Sequence, residues 1–266
     1  MPFIQEAILR PCNPGNECRA ALEDAALSLL GTLSTNGQIW GEPLTAWVDG
    51  GLHLLAKTPC EDSLDSRYHS NWVEEDVRRL REHCMGSLSW RSRGTSDTQR
   101  CSPTDWEECP ALYLFTHAFD DSSPVVAGDN SEPVPLYLLQ IDPRDREALL
   151  FWMRAHRHHD SIWLDSRALE KAAYEQLGSI NSELSQRGRA LAIGLERALK
   201  KPTYYYLHRY HGLRDGEADR SCPGCGGRWA RRSDPSTRGL AWFDFMCDEC
   251  RIVSHQGVDV LDEAVR

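Results

Sequence analysis

Hydrophobic positions near the N-terminus first follow a strand-like pattern and then recur at helical spacing. The segment FIQEAILRP is typical of a strand. The segment NECRAALEDAALSLLGTL carries apolar residues every three to four positions, and Asn16 is its predicted N-cap because a short polar side chain can accept from the first free backbone N–H groups. These patterns predict a strand followed by a helix.

A hairpin and a second helix come next. WGEPLTAWV and GLHLLAK are strand-like runs joined through Asp49, Gly50 and Gly51, which tolerate the positive φ angles of a hairpin turn. NWVEEDVRRLREHC is a charged amphipathic segment, and GSLSWRSR is a candidate fourth strand. The apolar stripe of the second helix consists of Trp72, Val73, Val77, Leu80 and Cys84. The order βαββαβ predicts a ferredoxin-like or related half over residues 1–94.

A polar stretch rich in Ser, Thr and Asp then leads to a second section, over residues 110–212. ALYLFTHAF and VPLYLLQI are predicted strands on either side of a long loop, and PRDREALLFWMRAHRH starts a helix. Two further helical stretches follow, with a break near Gly178 and a stop at Pro202. We expect these strands and long helices to pack on the first part.

Two Cys-x-x-Cys pairs stand close to the C-terminus. They are Cys222 with Cys225 and Cys247 with Cys250, and 21 residues separate the pairs, a spacing typical of four-Cys zinc modules. Each turn lets two thiolates converge on one cation, while Gly224 supplies a permissive backbone. The pairs therefore predict one Zn²⁺.

The segments around these pairs fit a small antiparallel sheet. RWARR, the turn SDPSTRG and LAWFDFMC would form a hairpin, and RIVSHQGVDV would add a third strand. This predicts a zinc ribbon over residues 213–266 and an α+β protein as a whole. The alternatives are buried thiols or a redox site, but a thioredoxin-type site uses one pair at a helix start. Four thiolates leave no open position on zinc, so the expected role is structural.

The motif CPGCGGRW followed by FDFMCDECRIVS resembles the C-terminal signature of a prokaryotic family of uncharacterised proteins, described as Zn-ribbon-containing and as candidate nucleic-acid binders. The resemblance covers about the last 50 residues. It implies the four zinc ligands, a bacterial source and, through the ribbon alone, nucleic-acid binding.

Charge is distributed unevenly along the chain. The formal net charge is −10, yet residues 187–238 hold 12 Lys and Arg against five Asp and Glu, about +7, which leaves about −17 elsewhere. The basic segment includes TYYYLHRYHG, whose aromatic and cationic groups could stack bases and neutralise phosphates. The candidate residues for binding DNA, RNA or another partner are Tyr204, Tyr205, Tyr206, Arg209, Tyr210, Arg228, Arg231, Arg232 and Arg238.

The same residues admit a structural interpretation. Tyrosines after a helix commonly pack one domain against the next, and arginines on a ribbon are commonly a solvated face. The ribbon could then be a rigid platform for protein–protein interaction in an adaptor or inhibitor, with the acidic N-terminal part facing a basic protein partner. Salt dependence of binding distinguishes the two hypotheses.

Other chemistry-bearing residues give weaker patterns. His156, His159 and Asp160 stand at i, i+3 and i+4, which could place metal ligands on one helix face, although histidines near a helix C-terminus are commonly exposed and interact with its dipole. The six other cysteines, expected to be small buried hydrophobes, are Cys12, Cys18, Cys60, Cys84, Cys101 and Cys109. Motifs for phosphate loops, nucleophile elbows and zinc proteases are missing, so we predict a non-enzymatic protein.

Composition limits the class of protein and its predicted location in the cell. The hydrophobic fraction of 41% and the charged fraction of 26% are those of a globular protein. No apolar run approaches the roughly 20 residues of a spanning helix, and the N-terminal stretch has neither the basic start nor the apolar core of a signal peptide. We therefore expect a cytoplasmic protein with reduced thiols and no membrane partner. The ligand and the oligomeric state stay open.

Overall fold

The computed structural model describes residues 1–13, 15–96, 106–128, 132–212, 216–231, 243–257 and 259–260. The chain divides into two compact units. The N-terminal unit comprises Met1–Thr104, Asp121–Ser123 and Glu132–Glu147, and the C-terminal unit comprises Asp105–Asp120, Pro124–Ser131 and Ala148–Arg266. No described helix is long and apolar enough to cross a membrane.

The N-terminal unit is built on one antiparallel sheet with two helices. Its elements are β1 (Phe3–Pro11), α1 (Asn16–Thr35), β2 (Trp40–Val48), β3 (Gly51–Thr58), α2 (Asn71–Arg81), β4 (Cys84–Met85) and β5 (Arg91–Thr95), with a 3₁₀ turn at Ser66–Tyr68. The strand order is β2-β3-β1-β4, with β5 also paired to β1. This order, together with the sequence β-α-β-β-α-β, confirms the predicted ferredoxin-like half.

The hairpin between β2 and β3 explains the register of this sheet. Asp49 and Gly50 have φ angles of 48° and 77°, the positive values that a two-residue hairpin turn requires. The turn pairs Val48 with Gly51 and thereby directs Leu52 and Leu54 into the core. The helices cover this face with buried leucines of α1 and with Val73, Val77 and Leu80 of α2.

Three local predictions in this unit were wrong. Asn16 is the first residue of α1, and Gly15 is the N-cap, with no side-chain capping bond. Trp72 is 40% exposed because it lies one position before the buried stripe of α2, and Cys84 belongs to β4. The predicted fourth strand GSLSWRSR is extended into a strand only from Arg91, where β5 begins; β4 precedes it, and Gly86, with a φ of 83°, follows β4 directly.

The predicted strand at VPLYLLQI is a short 3₁₀ helix, Leu136–Leu138, within the N-terminal unit. Two close contacts fix the side chains of this turn. A Cβ on Gly37 would lie 2.6 Å from the Cβ of Leu136, and the Tyr137 hydroxyl lies 3.0 Å from the Ser63 hydroxyl. Tertiary packing therefore overrides the β propensity of this run.

The C-terminal unit combines helices with a six-stranded mixed sheet. The helices are α3 (Pro143–Asp165), whose first turn belongs to the N-terminal unit, α4 (Glu170–Gly178) and α5 (Glu183–Leu199). The predicted break near Gly178 is confirmed. The strands are β6 (Leu112–Leu114), β7 (Val125–Ala127), β8 (Thr203–Tyr206), β9 (His211–Gly212), β10 (Ala230–Arg231), β11 (Phe245–Cys247), β12 (Ile252–Ser254) and β13 (Asp259–Val260), with a 3₁₀ turn at Glu217–Asp219.

The sheet order is β10-β11-β12-β8-β6-β7, and β9 pairs with β13 separately. The strands β12, β8 and β6 are mutually parallel, whereas the outer pairs are antiparallel. The three C-terminal strands β10, β11 and β12 thus continue the sheet that begins at β7. The predicted division of the chain into three segments, with the last one at 213–266, stays a prediction.

The helix α5 packs closely on the centre of this sheet. A Cβ on Gly188 would collide with the ring of Tyr205 and would lie 2.7 Å from Nε1 of Trp152, so glycine is needed for this approach. Trp152 donates from Nε1 to the carbonyl of Leu184 at 3.2 Å. Buried aromatic side chains therefore fill the space between β8 and its helices.

Candidate metal centre

The four predicted cysteines meet in space. Their sulfur atoms all lie within 4.8 Å of one another, and Cys225 and Cys247 are 3.7 Å apart at Sγ. Zinc–thiolate bonds of about 2.3 Å in a tetrahedron place sulfurs about 3.8 Å apart, so the spacing fits a tetrahedral cation. Among the residues that the structure describes, this is the one group of its kind.

Both Cys-x-x-Cys turns direct backbone N–H groups at sulfur. Gly224 donates to Cys222 Sγ, and Cys250 donates to Cys247 Sγ, each at 3.4 Å. The first turn is closed further by a bond from Gly226 N–H to the Cys222 carbonyl at 2.8 Å. N–H groups directed at sulfur stabilise the thiolate form, which is the form that binds metal.

The residue after each pair has a left-handed backbone. Gly226 has a φ of 72°, and Arg251 has a φ of 52°. Close packing also restricts Gly224, because a Cβ there would lie 2.6 Å from Cys250 Sγ. The glycines of the first pair are therefore needed by the site, whereas the second pair carries an arginine where glycine would be least strained.

Contacts of the Arg251 guanidinium offset this backbone strain. Its Nε and Nη2 donate to the two carboxylate oxygens of Glu196 on α5 at 2.9 and 3.1 Å, and its Nη1 lies 3.3 Å from Asp248 Oδ1. Tyr204 also donates to Asp248. The Glu196 hydrogen bonds raise the pKa of Arg251. The second turn is thus tied to both α5 and β8.

Sequence reasoning missed Arg251. The signal that could have found it is the contrast between CPGCG and CDECR, since a large cation stands where the first pair has glycine.

Burial makes uncompensated thiolates costly at this site. Burial raises the pKa of Cys247 to about 11 and also raises the pKa of Cys250. For Cys222, burial acts in the same direction, but N–H groups of Cys225 and Gly224 outweigh it and lower the pKa. A divalent cation would supply the missing positive charge, so the donor set fits a metal ion.

The predicted stacking surface is not on the outside. Tyr204, Tyr205 and Tyr206 are 5%, 0% and 6% exposed, because β8 lies in the middle of a sheet covered on both faces. The hydroxyl of Tyr205 lies 3.2 Å from the Ser185 hydroxyl, and the ring of Tyr206 packs edge-on to Phe115 at 4.9 Å. The interpretation of these tyrosines as exposed base-stacking groups was wrong.

The remaining candidate partner-binding residues occupy different environments. The side chain of Arg209 is 9% exposed and forms an ion pair with Glu217 at 2.5 Å, and Tyr210 is half-buried with its ring 4.9 Å from that of Trp163. Arg228 is exposed. The backbone of Arg231 is part of β10, whereas its side chain, Arg232 and Arg238 lie outside the described part of the chain. Arg228 is therefore the exposed cation among the candidates whose side chains are described.

The candidate histidine group and the six remaining cysteines differ in how deeply they are buried. His156 and Asp160 are buried and His159 is half-buried, and their ligand atoms do not converge as the four sulfurs do. Of the six remaining cysteines, Cys84 and Cys109 are buried as expected, whereas Cys12 is exposed and Cys18 and Cys60 are half-buried. Cys101 lies outside the described residues.

The fold and this cluster define an α+β protein with a candidate four-thiolate metal centre. Three protein-family profiles match the chain, and each is described as a domain of unknown function: DUF8589 at residues 2–94, DUF2310 at residues 107–208 and DUF8594 at residues 213–260.

Two curated relatives are uncharacterised proteins of Haemophilus influenzae. One is 31% identical over 227 residues, which cover 83% of this chain and 85% of the relative. The other is 35% identical over 144 residues, which cover 53% of this chain and 69% of the relative. The chain belongs to the same family as these proteins, and the expectation of an uncharacterised prokaryotic family is confirmed.

Two solved structures resemble part of the chain. Rv0793 from Mycobacterium tuberculosis matches 36% of this chain and 97% of its own, with 14% identity and a TM-score of 0.30. A Caulobacter crescentus CB15 protein described as a candidate antibiotic biosynthesis monooxygenase matches 36% of this chain and 91% of its own, with 13% identity and a TM-score of 0.31.

Proposed function

We propose that Cys222, Cys225, Cys247 and Cys250 hold one structural Zn²⁺, which makes the C-terminal strands a zinc ribbon, and that the protein acts by binding and not by catalysis. The convergence of four sulfurs on two turns of the same N–H···S design supports this proposal most directly. Zinc suits the set because it accepts tetrahedral thiolate ligands without redox change.

Zinc would add to the contacts that support the short C-terminal strands. Within the described residues, β10, β11 and β12 are two or three residues long, so few backbone hydrogen bonds hold each strand, although β11 and β12 are fully buried. Binding free energy at a structural zinc site is folding free energy, because the unfolded chain has no assembled site. The ion would therefore stabilise the end of the six-stranded sheet formed by β10, β11 and β12.

Metal analysis tests this proposal. Freshly purified protein should hold one equivalent of zinc that resists dialysis, and Cys247→Ser should lose it. Cys12→Ser, which replaces an exposed cysteine in the N-terminal unit, is the matched control and should retain it. Less than about half an equivalent in the unsubstituted protein would contradict the proposal.

Nucleic acid is the partner that we propose first for the ribbon. The exposure of Arg228 and the charge of about +7 over residues 187–238 support it. Because the tyrosines of β8 are buried, recognition would depend on phosphate contacts, which weaken steeply with salt.

The test is binding to single- and double-stranded DNA and RNA at low and physiological ionic strength. We expect salt-sensitive binding that Arg228→Glu weakens and that a combined Arg231→Glu and Arg232→Glu variant abolishes, with zinc content unchanged. A charge reversal in the N-terminal unit, Arg78→Glu on the exposed face of α2, should have little effect. Binding at low salt that is missing or indifferent to these substitutions excludes nucleic acid.

A protein partner is the second candidate, with the zinc site purely structural. The open face of the N-terminal sheet supports it, because Ile8, Leu44 and Val48 are 48%, 66% and 45% exposed there. Such apolar side chains favour protein contacts that survive high salt. A partner retained at about 0.5 M salt by the unsubstituted protein and lost from Leu44→Asp would favour this function, since charge contacts are screened there.

A further inference from the structure

Histidines cluster at one edge of the six-stranded sheet, away from the thiolate site's own turns. The parallel strands β6, β8 and β12 are each followed within three residues by a histidine, namely His117, His208 and His255. The carboxyl ends of adjacent parallel strands lie at the same edge, which is where ligands commonly bind in such sheets. The helix α3 adds His156 and Asp160, and these residues all belong to the C-terminal unit.

Several polar atoms at this edge are buried without a partner. His156 is 1% exposed, and neither of its ring nitrogens has a hydrogen bond with any residue that the structure describes. The same holds for the Thr116 hydroxyl and for Nε2 of His208. Buried polar groups are almost always paired in proteins, so three such groups in one region point to a bound species that completes them.

The buried carboxyl group of Asp160 favours a cation as that species. Asp160 is 5% exposed, lies one helical turn after His156, and accepts a hydrogen bond from Ala118 N–H at 2.6 Å. Within the described residues it forms no ion pair with Lys, Arg or His. A buried carboxylate beside imidazole lone pairs is stabilised by a positive ion, and imidazole with carboxylate is a ligand set of divalent transition metals.

We propose that His156, His208 and Asp160 bind a second divalent transition-metal ion, separate from the four-thiolate site. The Tyr206 hydroxyl lies 3.4 Å from Nδ1 of His208, which leaves Nε2 for the metal. A metal-binding histidine is commonly held in this way through its other nitrogen. In this structure the ligand atoms of the three residues are not within metal-binding distance of one another, so the proposed site requires their side chains to move together on binding.

The test adds Co²⁺ to the full, untagged protein whose cysteine site has first been filled with one equivalent of Zn²⁺. We expect about one further equivalent to bind, with weak visible bands and without the intense thiolate charge-transfer absorption of a cysteine site. Tryptophan fluorescence should be quenched, because the rings of Trp152 and Trp163 lie 5.2 Å from His156 and 4.9 Å from His208.

Substitutions locate the site. Asp160→Asn and His208→Gln should lose the second equivalent, and Tyr206→Phe should weaken it by about tenfold, the usual effect of a lost supporting bond. His158→Gln replaces an exposed histidine on the same helix and should bind as the unsubstituted protein does. Zinc content should stay at one equivalent in every variant.

Three results would overturn the second site. They are no Co²⁺ uptake by the zinc-filled protein, uptake that appears only with a thiolate charge-transfer band, and equal uptake by Asp160→Asn. If Asp160→Asn or His208→Gln fails to fold, the stoichiometry and absorption of the unsubstituted protein decide the question.

Discussion

The two units of this protein hold their sheets together by different means. In the N-terminal unit, three strands of eight or nine residues are joined by a tight hairpin and covered by buried leucines of two helices. In the C-terminal unit, strands of two to four residues depend on parallel neighbours, on buried aromatic rings and on a cysteine cluster. Long strands with an apolar face can be stabilised by burial alone, whereas short strands need additional cross-links.

Metal removal should produce the largest difference in hydrogen-exchange protection between the two units. Chelation, or Cys247→Ser, should abolish hydrogen-exchange protection in β10, β11 and β12, because the binding free energy of zinc would be lost from the folded state. Protection in β1, β2 and β3 should persist. Peptide-resolved hydrogen exchange measures both, and equal loss in the two units would contradict the comparison.

A cavity in the N-terminal core should destabilise the N-terminal unit and leave the metal site of the C-terminal unit intact. Leu29 is fully buried in α1, so Leu29→Ala should reduce the free energy of unfolding of this unit by about 2–5 kcal/mol. Leu27→Ala, at a position 50% exposed on the same helix, should cost much less. Denaturant unfolding measures the stabilities, and zinc content should be unchanged in both variants.

Acid should destabilise the C-terminal unit before the N-terminal one. The folded-state pKa values of His156 and His208, about 3 and about 4, lie below the ordinary value of 6.5, so the unfolded state binds more protons. The stability is fully present above pH 6.5 and falls as the pH drops toward 4. Hydrogen exchange of α3 and β8 between pH 7 and 5, with zinc content followed in parallel, checks this order; constant protection would contradict it.

Gly224→Ala should weaken the metal site without touching a ligand. Its Cβ would lie 2.6 Å from Cys250 Sγ, an overpacking expected to cost about 1–3 kcal/mol. Gly194→Ala in α5 meets nothing within 4 Å and is the control. Competition with a chromogenic zinc chelator measures the affinities, and unchanged affinity for Gly224→Ala would show that the turn can adapt.

The smallest expected difference in stability is between two substitutions at Arg251. Both Arg251→Ala and Arg251→Gly remove the pairing with Glu196, but glycine also relieves the positive φ of 52°. The left-handed backbone costs alanine about 1–2 kcal/mol, and the greater unfolded-state entropy of glycine offsets part of this, so the glycine variant should be more stable by about 0.5–1 kcal/mol. Thermal unfolding of zinc-loaded variants measures this, and a glycine variant less stable than alanine would contradict the role given to backbone strain.

Sequence patterns correctly predicted the elements whose geometry depends on neighbouring residues. The hairpin at Asp49 and Gly50 follows from the residues themselves, and with the two amphipathic helices it was enough to predict the ferredoxin-like order. The metal ligands were predictable because two Cys-x-x-Cys turns carry their own geometry.

What could not be predicted depends on pairing between distant segments. The run TYYY has the composition of a base-stacking surface and equally that of a strand buried on both faces, and only its pairing with β6 and β12 decides between them. The same limit applies to Arg251, whose partner Glu196 is 55 residues away, and to Leu136, which packs on Gly37.

The parallel pairing of β8 with β6 and β12 has a consequence for biosynthesis. All strands of the N-terminal sheet are made within the first 95 residues, so that sheet can form early during translation. The strand β8 cannot gain both neighbours until residues 252–254 have been synthesised. Completion of the six-stranded sheet is therefore a late folding step that pairs segments distant in sequence. Such steps are slow because a long loop must close first.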